Sequence, residues 1–294
     1  MTTTNKPPFE ISATFLGEFE NNSPEWHALR NEQGVISGSE IGTILGLSPF
    51  TSAITLWAQK TGKLPNQVEP NTAMRLGQLV EPAIRTLYKE HHPEHQVVEV
   101  GTYAHPEHSW AHANPDALCV DETGQPYILE IKHTATYWDS VPEHYRAQVF
   151  WYMWVFDIKR AVFAVVNAGR YKEYEVLWDE FEFDAIYHRV LDFRTRVFAD
   201  EQPDWDGSDS TYETVRALSP DIENLNEELG TLGIELLNAQ ADLEKIEKHF
   251  TELKSRTIAA LNGAKNGCID GEVVVSLTQR GAGLPYLTFK KGNK

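Results

Sequence analysis

The chain has 294 residues, enough for one large domain or for a domain with an appendage. Hydrophobic residues make up 41% and charged residues 23%, which excludes a largely disordered chain. A net charge of −17 excludes a uniformly basic nucleic-acid binder, so any such contact must come from a local grouping of Arg and Lys.

In chain order, Ser39 reads as the N-cap of a short helix over residues 40–45 that stops at Gly46. A second helix spans 52–60 and closes at Gly62. Met74, Leu76, Leu79, Val80, Ile84, Leu87 and Tyr88 recur at helical period over 72–90, with Pro82 marking a kink or restart. Three strands follow, over 97–103, 111–120 and 127–133, the last two joined by a turn at 122–126. A helix over 142–156, strands over 161–167 and 174–177 and a helix over 181–199 complete an α/β unit. Trp151, Met153, Trp154 and Phe156 read as core.

Residues 201–210 read as a linker, and Ser219-Pro220 reads as the start of a new helix, so the domain boundary is placed near 215: a first domain over 1–215 and an appendage over 216–294. Leu225, Leu229, Leu232, Leu236, Ala239, Leu243, Ile246, Phe250 and Leu253 alternate steps of four and three, a heptad stripe. With Asn262-Gly263 as its stop, this helix would run about 60 Å. Asp270-Gly271 and Gly281-Ala282-Gly283 then punctuate a small β-hairpin.

The residues that carry chemistry are Asn114-Pro115-Asp116, followed after the turn by Leu129-Glu130-Ile131-Lys132. Side chains alternate along a strand, so Glu130 and Lys132 share a face, and the preceding strand can bring Asp116 beside them. Oxygen ligands of this kind suit Mg²⁺ or Mn²⁺, and the lysine would position or deprotonate a water and stabilise negative charge. The apolar run around Glu130 argues against a solvated outer face. Two His-Pro-Glu-His runs, at 92–95 and 105–108, lack the accompanying residues of a zinc site and read as surface loops. Residues 169–172 read as a turn that either contacts phosphate or is simply solvated.

Asp116, Glu130 and Lys132 match the PD-(D/E)XK motif residue for residue, and around them the chain resembles the phage lambda exonuclease and YqaJ-type viral recombinase family of that nuclease superfamily. The resemblance runs over roughly 23–215 and includes Trp26-His27-Ala28-Leu29-Arg30, Gly34 to Glu40, Gly46-Leu47-Ser48-Pro49-Phe50 and Leu56 to Gly62. It implies a restriction-endonuclease-like α/β core, a central mixed sheet flanked by helices, here followed by a long helix and hairpin. It implies two Mg²⁺ ions, replaceable by Mn²⁺, held by Glu81, Asp116, Glu130 and Ile131. By the same resemblance Arg30, Ser37 and Ser39 grip a 5′-phosphate, and Gln148 and Tyr152 face the DNA. A serine at a helix N-terminus and a bidentate guanidinium suit such an anion.

The implied activity is hydrolysis of double-stranded DNA ends, 5′ to 3′, for phage-type homologous recombination. The same metal site would equally serve an endonuclease, and a non-catalytic assembly protein that binds DNA or a partner is the rival from another class. Expected partners are double-stranded DNA ends, a single-strand annealing protein and further copies of the chain in a ring. Cys119 and Cys268 form no C-x-x-C pair, and the first thirty residues hold no apolar signal core, so a cytoplasmic protein with no membrane attachment is expected. Residues 1–215 hold 16 Lys and Arg against 32 Asp and Glu, so the acid excess falls on the part expected to meet DNA.

Overall fold

The computed structural model describes residues 7–20, 23–65 and 71–290, and it divides the chain into two compact units, Met1–Pro220 and Asp221–Lys294. In the first unit β1 (Thr14–Gly17) precedes α1 (Pro24–Asn31), which opens on Ser23: the hydroxyl accepts the Trp26 N–H at 3.1 Å. Pro24 takes the first helical position, where a missing N–H costs nothing. Then come β2 (Ile36–Ser37), α2 (Gly38–Ile44), α3 (Ala53–Lys60), capped by Ser52, and α4 (Thr72–His91), capped by Asn71 with Pro82 inside it. Four short strands follow: β3 (Gln96–Val98), β4 (Thr102–Ala104), β5 (Ala111–Ala113) and β6 (Ala117–Val120). The unit closes with β7 (Pro126–Thr134), α5 (Glu143–Phe156), β8 (Arg160–Asn167), β9 (Arg170–Leu177), α6 (Glu180–Ala199) and α7 (Asp209–Leu218).

A five-stranded sheet in the order β3-β6-β7-β8-β9 forms the centre. All its pairings are antiparallel except β7 with β8, which are parallel and therefore need the crossover that α5 supplies. Alternation along β7 sorts the core. Tyr127, Leu129 and Ile131 pack with Ile84 and Tyr88 of α4, while Ile128 joins Phe150 and Val149 of α5 on the other face. Each strand of this sheet centre is thus buried on both faces, which is why β7 and β8 read as nearly continuous apolar runs. A smaller sheet, β1-β4-β5-β2, carries the N-terminal segment.

Two expected strands break in the structure. Residues 97–103 divide between β3 and β4, which belong to different sheets, and 111–120 divides into β5 and β6 around Asn114-Pro115-Asp116. Proline has no N–H to give a ladder, so the chain leaves one sheet and enters the other there, with Asp116 at the crossing. The stretch read as a linker contains the start of α7. This helix is capped by Ser208 and held to α3 by Thr55, whose hydroxyl lies 2.7 Å from those of Ser210 and Thr214.

In the second unit the long helix does not begin at Ser219-Pro220. Residues 219–230 form no helix or strand, and α8 covers Thr231–Leu261, about 46 Å, so Leu225 and Leu229 fall outside it. Asn262 ends the helix in a left-handed conformation. An antiparallel sheet, β10 (Asn266–Ile269), β11 (Glu272–Thr278) and β12 (Tyr286–Phe289), follows, and Phe289 lies 5.6 Å from the Phe250 ring of α8. No helix among the described residues is long and apolar enough to cross a membrane.

Candidate functional site

Glu130 and Lys132 project from the α5 face of β7, and Asp116 enters β6 opposite them, since Ala117 pairs with Leu129. One Asp116 carboxylate oxygen accepts the Ile131 N–H at 2.6 Å. Glu130 is 2% exposed; one of its oxygens accepts from the Lys132 ammonium at 2.7 Å and from the Gln148 amide at 2.8 Å. Gln148 also donates to the Tyr152 hydroxyl at 2.9 Å, one turn further along α5. The second Glu130 oxygen is buried with no protein partner. Glu130, Lys132, Gln148 and Tyr152 are therefore one hydrogen-bonded group, which Asp116 adjoins through the Ile131 N–H.

Glu81 belongs to the same electrostatic group. Burial raises its pKa, Asp116 raises it further, and Arg85 and Lys132 oppose. Arg85, four residues on, holds the Glu81 carboxylate from one side and reaches Glu99 at 2.7 Å from the other. Burial likewise raises the Asp116 pKa against the pull of Lys132, and burial with the Asp116 charge pushes Glu130 up to about 7. Burial acts the opposite way on Lys132, but Glu130 and Asp116 prevail and keep it protonated. Crowded, partly desolvated carboxylates beside one ammonium are the kind of arrangement in which strongly shifted pKa values gather at functional sites. Among the described residues no three His, Cys, Asp or Glu side chains already close into a cage for an ion. The donor set still fits a hard cation: all oxygen, in charge excess, with one buried carboxylate oxygen unused. Ile131, expected among the metal ligands, gives its N–H to Asp116.

Arg30, Ser37 and Ser39 lie at the junction of α1, β2 and α2. The Arg30 guanidinium stacks over Trp26 at 4.3 Å, donates to the Ser39 hydroxyl at 3.0 Å and approaches Glu40 at 3.5 Å. Ser39 is not the cap expected from the sequence. Helix α2 begins two residues earlier with Ser37 as N-cap, where the Glu40 carboxylate accepts the Ser37 N–H at 2.8 Å. This leaves the Ser37 hydroxyl buried without a partner, in a small cavity lined by Trp26, Arg30, His112, Asn114 and Tyr152 among others. Tyr152 links this cavity to the carboxylate group.

The frame under Arg30 was not anticipated. Lys60 of α3 has a fully buried side chain; its ammonium lies 2.9 Å from Glu40 and donates to the Arg30 carbonyl at 2.7 Å. Burial works against the Glu40 charge, but Lys60 and Arg30 hold its pKa below the usual value. The Ser37-x-x-Glu40 spacing is a sequence signal for half of this arrangement, and the Glu81 to Arg85 spacing of four was the available signal for that pair.

The two His-Pro-Glu-His runs make different contacts. His92 pairs with Glu173 at 2.9 Å and His95 bridges Tyr127 and Glu122, while His105 and His108 stack on Trp154. His112 is buried, its Nε2 3.0 Å from the Ser109 carbonyl, away from the carboxylates.

The fold is of the restriction-endonuclease-like class, a mixed sheet between helices, with Asp116 at a strand break and Glu130 on the adjoining strand. Its backbone is similar to that of an alkaline exonuclease, LHK-Exo, from Laribacter hongkongensis: TM-score 0.50 and 21% identity, over 66% of this chain and 98% of that one. A complex of the same enzyme with dAMP aligns with a TM-score of 0.49 and 20% identity over the same shares. Residues 25–159 match the family described as YqaJ-like viral recombinase domain. An uncharacterized protein, YqaJ of Bacillus subtilis (strain 168), is 27% identical over 267 residues, covering 86% of this chain and 80% of that protein.

Proposed function

We propose that the chain is a magnesium-dependent deoxyribonuclease that resects double-stranded DNA ends, 5′ to 3′, in phage-type recombination. The observation that carries this reading is the convergence of Asp116, Glu130 and Lys132 with Gln148, in a group whose second Glu130 oxygen is buried and unpaired. Glu81, Asp116 and Glu130 would hold Mg²⁺, with Mn²⁺ as a substitute and two ions as the expected number. Held there, such an ion would supply Lewis-acid polarisation of the phosphodiester and ease deprotonation of the attacking water.

The chain's own residues do the rest. Gln148 fixes the Glu130 carboxylate by bonding one oxygen. Lys132, hydrogen-bonded to Glu130, acts as a cationic donor that stabilises charge on the scissile phosphate and positions the attacking water. Arg30 and Ser39, already hydrogen-bonded to one another, present a guanidinium and a hydroxyl to a terminal phosphate. The Lys60 and Glu40 pair beneath them keeps that arm in place. An exonuclease is further supported by the likeness to LHK-Exo, itself an alkaline exonuclease.

The test is digestion of linear duplex DNA with and without a 5′-phosphate, beside closed circular DNA, in Mg²⁺, with Lys132→Ala as control. Degradation confined to the phosphorylated linear duplex, and lost in the variant, is the expected result. Equal cutting of the circle would leave the chemistry and remove the claim of end resection; no cutting with either Mg²⁺ or Mn²⁺ would overturn both.

A further inference from the structure

In a chain of net charge −17, strand β9 sorts its charges by face. Its register with β8 places Lys172 opposite Val165, and β8 in turn places Val165 beside Lys132. Lys132, Val165 and Lys172 are one cross-strand row, so all three side chains leave the same face of the sheet. The next row is Thr134, Asn167 and Arg170, and the row before is Glu130, Phe163 and Tyr174. Arg170 and Lys172 therefore share the face of the catalytic group. The acids of the strand, Glu173 and Glu175, lie on the other face, where Glu173 meets His92 and Glu175 meets Arg160.

The two bases are also unpaired: among the described residues neither Arg170 nor Lys172 has a carboxylate within ion-pair distance, whereas Lys132, Arg85 and Lys60 all do. Lys172 sits instead over aromatic rings, 4.5 Å from Tyr174 and 5.4 Å from Tyr137, and Tyr137 is 54% exposed. A chain of rings joins the two lysines. Lys132 lies over Tyr145 at 4.8 Å, Tyr145 is 5.3 Å from Trp138, and Trp138 is 6.0 Å from Tyr174. Beside Tyr174, the Asn167 side-chain oxygen is buried with no partner while its amide donates to the Tyr174 hydroxyl at 3.3 Å.

We infer that Arg170 and Lys172 on the edge strand β9, with Tyr137 beside them, form a second DNA-backbone contact on the catalytic face, separate from the Arg30 and Ser39 arm. This rests on the nuclease reading and states where its substrate continues beyond the scissile phosphate. Two strand spacings put Lys172 about 10 Å from Lys132. At about 3.4 Å of axis per nucleotide, that is roughly three nucleotides along the duplex. A pair of unpaired cations at that distance holds the backbone by charge, with the Tyr137 ring offering a face to sugar or base. The segregation on β9 also shows how so acidic a chain presents a positive edge to a polyanion: its acids on that strand are spent on the opposite face.

The experiment is the salt dependence of duplex binding by the full chain in Ca²⁺, so that binding is read without turnover. Wild type is compared with Arg170→Gln/Lys172→Gln and with the charge-keeping Arg170→Lys/Lys172→Arg. Each phosphate contact contributes about 0.9 to the slope of log affinity against log salt, so the glutamine pair is expected to lower the slope by about 1.8 and the charge-keeping pair to retain it. A glutamine pair with the wild-type slope overturns the inference, as does a charge-keeping pair that loses it. If wild type cleaves DNA yet the slopes agree, only this inference falls. If wild type shows no salt-sensitive binding at all, the nuclease reading falls and this contact with it.

Discussion

At the scale of single residues, the group around Glu130 is held in tension by its own charges. Its pKa of about 7 lies above its ordinary 4.5 because burial and the Asp116 charge both disfavour the carboxylate. Between these values the folded form binds more protons than the unfolded chain, so stability falls as pH rises through that window and the loss is complete above about 7. In the metal-free protein, urea midpoints measured at about pH 5 and about pH 8 are expected to show this decline, and Glu130→Gln is expected to flatten it. A decline of equal size in the variant would place the effect on another group. Asp116, Glu130 and Lys132 were legible in the sequence because strand alternation fixes relative direction without knowledge of the whole fold, whereas Gln148 and Tyr152 were reached only through the family resemblance. Arg85 was not singled out. An i, i+4 pair on a helix is common on solvated faces, and only packing of α4 against β7 shows that this one is buried.

Among the elements, the packing of α2 on α5 depends on two glycines, Gly38 against Tyr152 and Gly42 against His144. A Cβ built at Gly38 would overlap the Tyr152 ring, so the closeness of these helices requires a glycine there. Gly38→Ala is expected to cost about 1–3 kcal/mol by overpacking and to lower the melting temperature accordingly. It also pushes on the tyrosine that joins the Arg30 cavity to the carboxylates, so loss of preference for a 5′-phosphate should accompany it. An unchanged melting temperature would mean that α2 shifts freely. Elements with strong local signals were readable: α3 and α4 by caps and period, β7 and β8 by apolar runs. The strands over 97–103 and 111–120 were not, because each has enough β-forming residues for one strand, and only the pairing shows that the halves join different sheets. Helix α8 was misplaced at its start for a related reason. The heptad spacing continues through Leu225 and Leu229, but Gly230, with φ of 55°, precedes the first helical turn.

For the molecule as a whole, the division at Pro220 and Asp221 assigns the site to the first unit alone. Every residue of the Asp116, Glu130 and Lys132 group, the Arg30 arm and the β9 edge lies within Met1–Pro220. Residues 219–230 lie between α7 and α8 and contain no helix or strand. Limited proteolysis of the full chain is therefore expected to cut first in this interval and leave a product of about 220 residues. First cleavage inside α6 or α7 would contradict the division. The acid excess that the sequence assigned to residues 1–215 also acquires a physical form. Many of those carboxylates are paired with Arg, Lys or His, as at Glu40, Asp121, Glu173 and Glu182, so the net number does not describe the face that meets a ligand.

The central claim is that Asp116, Glu130 and Lys132 hydrolyse DNA with a divalent metal. The most direct measurement is the hydrolysis rate of an end-labelled linear duplex by the full chain, in Mg²⁺ and in EDTA, for wild type and Lys132→Met. The account predicts cleavage in Mg²⁺ alone and a fall of about 10²–10⁴-fold in the variant, the range lost with a single positioned donor. Cleavage that persists in EDTA, or a variant as fast as wild type, would contradict it.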